Sequence, residues 1–180
     1  MKIALIALFG SCLAATAHAV VTTGLEAGYF VENNDTYWSG RVGWEFKTTT
    51  SLSHQVEAEL GYTEHSETYF GTIDGKAKRT PLFLNYRAET TAAEKLGFYF
   101  GAGLGRSKTK VTVRQSGTQA THSESAAAWQ AFAGIRYKAT DNLTLQAGAK
   151  YIDMNEAHLP GVSVGKNGDI AATAGVSFRF

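Results

Sequence analysis

Cysteine occurs once in the 180 residues, at position 12, and proline only twice, at 81 and 160. A single thiol supports neither an intrachain disulfide framework nor a cysteine-ligated metal centre. A surplus of either charge sign is also missing, with 17 Lys and Arg against 16 Asp and Glu. Nucleic-acid binding needs clustered excess cations to neutralise phosphates, so that class is excluded. Past the N-terminal segment, no stretch approaches the roughly 20 consecutive apolar residues that a spanning helix requires. If the rest of the chain crosses a membrane, it does so with strands.

The N-terminal segment is of a different kind. Residues 1–19 place Lys2 before an apolar run from Ile3 to Phe9 and close on the small-residue pattern Ala17-His18-Ala19. That order matches a secretory signal peptide. It predicts a leader over 1–19 and a single exported domain over 20–180. The exported domain is then free of cysteine and, without Lys2, carries 16 charges of each sign.

Beyond Ala19 the sequence alternates with period two, the signature of strands with one apolar and one polar face. Trp38, Gly40, Val42, Trp44 and Phe46 oppose Ser39, Arg41, Gly43, Glu45 and Lys47. Val56, Ala58, Leu60 and Tyr62 oppose Gln55, Glu57, Glu59 and Gly61. Eight such segments follow one another, the last running from Ile170 to Phe180, with no helical pattern between them. The predicted fold is all-β: an eight-stranded antiparallel up-and-down transmembrane barrel. Connections at 48–51, 89–95 and 139–142 are short. Those at 64–80, 115–125 and 153–169 read as long loops on the opposite rim, with a brief turn at 32–35.

Alternation does not say which face points inward, and a periplasmic lipocalin-like carrier with an apolar interior would show the same period. Two features favour apolar-out. Aromatic residues end the apolar faces, as at Trp38, Phe46, Trp129 and Tyr137, and an eight-residue strand covers roughly 20 Å, close to the apolar band of an outer-membrane barrel. The other face carries Glu26, Glu45, Glu57 and Glu59 together with Arg41, Arg87, Arg136, Lys150 and Arg179. Eight strands enclose only enough room for side chains, and opposite charges there form a paired plug.

Local motifs add a resemblance. Residues 98–105, Phe-Tyr-Phe-Gly-Ala-Gly-Leu-Gly, and 133–137, Ala-Gly-Ile-Arg-Tyr, resemble stretches of the small outer-membrane β-barrel proteins. That family includes the OmpA transmembrane domain, OmpX-like barrels and opacity-type adhesins. The final segment, with Phe178 and Phe180, is similar to the family's signal for the barrel assembly machinery. The resemblance implies residence in the outer membrane of a Gram-negative-type envelope and a structural or surface-interaction role carried by exposed loops at 64–80, 106–125 and 153–169.

No catalytic, cofactor or metal constellation is apparent. His-Ser-Glu occurs twice, at 65–67 and 122–124, but adjacent strand residues face opposite ways, so His65 and Ser66 do not meet. A basic ridge is the sharper feature: Lys76, Lys78, Arg106, Lys108 and Lys110 share the outward parity of Leu82 and Leu104, just beyond the apolar band. Lys and Arg at that height suit the phosphates of lipopolysaccharide. The expected partners are therefore outer-membrane lipid, lipopolysaccharide and a host or envelope ligand, with the protein acting as a monomer and not as an enzyme. A narrow pore through an Arg41/Glu57/Arg136 layer and a lipid A-modifying activity stand as alternatives, beside the soluble carrier.

Overall fold

A computed structural model describes residues 20–47, 51–69, 73–115, 118–154, 157–159, 162–164 and 168–180. The leader expected over 1–19 and the tip of the 48–51 turn lie outside the described residues. The strands are β1 (Val20–Phe30), β2 (Thr36–Lys47), β3 (Leu52–Tyr69), β4 (Ile73–Thr91), β5 (Leu96–Gln115), β6 (Thr118–Lys138), β7 (Leu143–Asp153), β8 (Ala157–Leu159), β9 (Val162–Val164) and β10 (Asp169–Arg179). All but β8 and β9 join in sequence order, and β1 pairs with β10 to close an eight-stranded antiparallel barrel. The short β8 and β9 pair only with each other, and β8 runs beside β6.

The side-chain period decides the faces. Val42, Leu60 and Ile135 are exposed on the outside, whereas Glu59, Asn85 and Gln130 are buried within. Apolar side chains therefore meet the surroundings and polar ones fill the axis, which rules out the carrier's inside-out arrangement. Trp38 and Trp44 bound the exposed apolar stretch of β2. The six residue steps between them cover roughly 20 Å along the tilted strand, within the roughly 25 Å apolar band of an outer-membrane barrel. Closure also removes the edge strands that an open sheet would present.

The strands differ greatly in length. β1, β7 and β10 have 11 residues each and β2 has 12, but β3 to β6 have 18, 19, 20 and 21. The register of β4 with β5 is unbroken from Thr91↔Gly97 to Ile73↔Gln115. This corrects the expectation of long loops at 64–80 and 106–125. Most of both segments is paired strand, and the four long strands form a wall that rises roughly 30 Å of chain beyond the low side of the barrel. The physical reason lies in the sequence Thr109-Lys110-Val111-Thr112-Val113, which keeps the β-branched alternation of a strand while its outward positions turn polar. Above a bilayer the outward face has no need to be apolar, so loss of apolar residues there does not end a strand. The 153–169 segment likewise contains the β8–β9 hairpin.

The top of the barrel axis is apolar. Phe30, Tyr37, Phe83, Ile152, Met154, Ala128 and Ala171 form one buried cluster, and Phe30 and Tyr37 meet edge-to-face at 5.8 Å. Glu32 N and Asn33 N donate to the Asp169 carboxylate at 3.3 and 3.1 Å, which folds the β1–β2 turn over this cluster.

Candidate functional site

Two arrangements of charged residues stand out, one inside the barrel and one on its outer wall. Inside, Lys150 Nζ lies 2.5 Å from Glu26 and 2.7 Å from Glu59. Arg41 reaches Glu26 at 3.2 Å and Glu57 at 3.6 Å, and donates to Gln146 Oε1. Glu59 also accepts from the Tyr37 hydroxyl and from Asn85 and Gln130, each at 2.8 Å. Both oxygens of that carboxylate are thus occupied, which is the condition under which a charge survives in a dry interior.

Nearer the short-turn rim, Arg87 contacts Glu89 at 2.8 Å while its guanidinium lies 4.0 Å from the Tyr99 ring centre. Arg136 meets Glu89 at 3.1 Å, and Arg179 pairs with Glu45. The five carboxylates Glu26, Glu45, Glu57, Glu59 and Glu89 are matched by Arg41, Arg87, Arg136, Lys150 and Arg179. Arg136 does not join Arg41 and Glu57 in one layer, contrary to the expectation from sequence. It belongs to the Glu89 cluster, because neighbouring strands in a tilted barrel are staggered along the axis and residues of equal parity need not share a height. Glu89 itself falls in the connection expected at 89–95. The structure instead buries it near the end of β4.

The second arrangement occupies the outward face of the tall wall. Lys78 pairs across the strands with Lys110, Thr80 with Lys108, and Leu82 with Arg106. Lys76, Lys78, Arg106, Lys108 and Lys110 are all exposed. Glu64 on β3 interrupts this field, 2.5 Å from Lys76 and 3.4 Å from Lys78. Hydrogen bonds from Lys76 and then from the Tyr62 hydroxyl hold its carboxyl at about 2, well below the ordinary value of 4.5. The same partner raises the Lys78 ammonium. Arg106, Lys108 and Lys110 make no ion pair with any carboxylate among the described residues. Arg114, exposed at the same parity and hydrogen-bonded to Gln119 at 3.0 Å, extends the field upward. Carrying the strand parity past Thr112 would have found it.

The two His-Ser-Glu segments fall on the wall's two outer strands. His65, Ala77, Val111 and His122 are successive partners on one inward rung, which places the histidines roughly 14 Å apart across three strand spacings. Ser66 and Ser123 face the other way. His65 Nδ1 instead meets both oxygens of Asp35 at 2.9 Å. Phe178 and Phe180 lie at the short-turn rim, both exposed.

A family profile described as "Outer membrane protein beta-barrel domain" matches residues 3–180. No curated protein sequence matches the chain. Among solved structures, a major outer membrane protein from Thermus thermophilus superposes with a TM-score of 0.67 at 11% identity, over 91% of this chain and 100% of that one. The attachment invasion locus protein Ail of Yersinia pestis gives 0.53 at 15% identity, over 90% and 97%, and has also been solved with the heparin analogue sucrose octasulfate. The outer membrane enzyme PagL gives 0.51 at 12% identity, over 87% and 98%. At such identities the likeness is one of fold.

Proposed function

The chain belongs to the outer membrane protein β-barrel family, and from that premise we propose that it is a surface-interaction protein whose tall wall holds an anionic partner against its outward cationic face. The observation that carries this reading is the field of Lys76, Lys78, Arg106, Lys108, Lys110 and Arg114 on a paired sheet, in which Glu64 takes up Lys76 and Lys78. Strand pairing fixes the spacing of these cations, so a multivalent phosphate partner meets them without first ordering a loop. They begin directly above the apolar band, at the height of the outer-leaflet phosphates, and the partner they fit best is lipopolysaccharide. Ail, of like fold, has been solved with a heparin analogue, sucrose octasulfate, the same class of charge.

In this reading the lumen is structural. Five carboxylates matched by five cations fill it and tie non-neighbouring strands together, as Lys150 on β7 does with Glu59 on β3. Export through residues 1–19, assembly guided by Phe178 and Phe180, and action as a monomer belong to the same proposal.

The test replaces Lys76, Lys78, Arg106, Lys108 and Lys110 with Gln together. Co-purifying lipopolysaccharide should fall sharply while the heat-dependent gel shift of a closed barrel persists. Retention of lipopolysaccharide at the wild-type level overturns the reading.

A further inference from the structure

The apolar outer wall is interrupted at one place on β2. A single outward rung carries Val176, Leu25, Gly40, Leu60 and Leu82 on five adjacent strands. Gly40 therefore leaves a gap between two leucines, and a Cβ added there would meet only Leu25 Cδ2, at 3.7 Å. Small residues widen the gap in both directions: Ala27 and Ala174 are paired one rung above, and Ala58 stands one rung below. The result is a trough down the barrel wall. It is a shallow, open depression of about 620 Å³ in its upper part and about 600 Å³ in its lower, the two overlapping at Leu25, Gly40 and Leu60.

The trough points at the cationic face. Its upper end is formed by Trp38, Tyr62 and Thr80. Thr80 pairs with Lys108, and Lys78 is the next outward residue on the same strand. A ligand with its hydrocarbon in the trough would bring its polar end to Lys78 and Lys108. A wall that is uniformly convex offers every lipid chain the same passing contact, whereas a preformed concavity surrounds one chain with close atomic neighbours.

We propose that this trough is the binding site for one acyl chain of the lipid A part of lipopolysaccharide, with a phosphate of the same molecule held by Lys78 and Lys108. The inference rests on the reading of the cationic face as a lipopolysaccharide contact and adds to it a fixed position and a stoichiometry. Charge complementarity chooses the occupant, since a polyphosphorylated glycolipid meets several of the cations while a phospholipid with a single phosphate meets fewer.

The test uses the folded full-length protein in detergent micelles, titrated with purified lipid A or with phosphatidylglycerol and read by native mass spectrometry. Wild type should retain one lipid A per barrel in preference to phosphatidylglycerol. Gly40→Phe, which fills the trough from a position with open space, should weaken lipid A retention about tenfold. Ala58→Phe fills the lower part from a different strand and serves if the first variant does not close into a barrel. Undiminished retention by the filled variants, with loss in the five-cation variant, overturns the trough and leaves the cationic face standing. Undiminished retention by both overturns both. Loss in the filled variants with equal wild-type retention of the two lipids overturns lipid A as the occupant.

Discussion

Leu84 and Lys78 stand on the same strand and the same face, six residues apart, in different solvents. Below Leu82 the outward side chains of β4 and β5 are Leu84, Tyr86, Phe100 and Leu104, and the inward ones include Asn85 and Arg87. Above it the outward side chains are Lys78, Lys108 and Lys110, while Ala77 and Val111 are buried on the inner face. The outer face inverts in polarity where the sheet leaves the bilayer, while the inner face keeps buried polar residues such as Thr63 and Thr109 beside Ala77 and Val111. Backbone pairing does not notice, since the register runs through the inversion unbroken. Strand pairing and face chemistry are thus independent variables, the first set by the chain's own hydrogen bonds and the second by whatever medium each face meets.

The sharpest way to break this comparison is inside the barrel, where no solvent relieves an unpaired charge. Lys150→Met leaves Glu26 and Glu59 short of their shared cation and should cost about 3–5 kcal/mol of unfolding free energy, measured by denaturant titration in lipid vesicles. Adding Glu59→Gln should recover part of that loss, and no recovery would show that the two do not act as a pair. Next comes the outer face. Leu60→Arg places a charge in the middle of the apolar band and should cost about 2–4 kcal/mol. The opposite exchange above the membrane, Lys110→Leu, should change stability by less than about 0.5 kcal/mol. Equal effects of the two would mean that the boundary is misplaced.

Acid should separate the regions more gently. The Glu64 carboxyl titrates at about 2 in place of 4.5 because Lys76 and Tyr62 donate to its charged form. A depressed folded-state value means that its contribution is complete above the ordinary value of 4.5 and drains away as pH falls toward about 2. Amide protection factors along the Glu64↔Lys78 rung, taken relative to the intrinsic exchange rate at each pH, should therefore fall across that window, and Lys76→Gln should raise the carboxyl toward its ordinary value. The smallest effect is expected at Ser123, exposed on the outward face of β6. Ser123→Arg should stay within about 0.5 kcal/mol by the same denaturant titration.

Much of this is legible in the sequence, for a specific reason. A period of two sustained over ten residues is distinctive, and a residue's parity alone sends Leu60 to one face and Glu59 to the other. Apolarity is a poor guide to where the strands stop. Thr109 to Arg114 alternates as regularly as Leu96 to Leu104, but its outward residues are lysine, threonine and arginine, so the segment reads as loop until its pairing is seen. Glu89 is missed in the same way: it lies past the apolar stretch of its strand, although its parity matches that of Arg87. The apolar cap of Phe30, Ile152 and Met154 leaves no mark in the sequence because its members are distributed over separate strands.

The sequence by itself determined the class of fold, the number of barrel strands and the face of each residue, because all three follow from alternation along one strand at a time. The tertiary structure alone decided which charges meet. Arg136 pairs with Glu89 and Lys150 with Glu59 because strands that are neighbours or face one another across the axis are staggered by the tilt of the closed barrel. That stagger depends on all eight strands at once and is written in none of them.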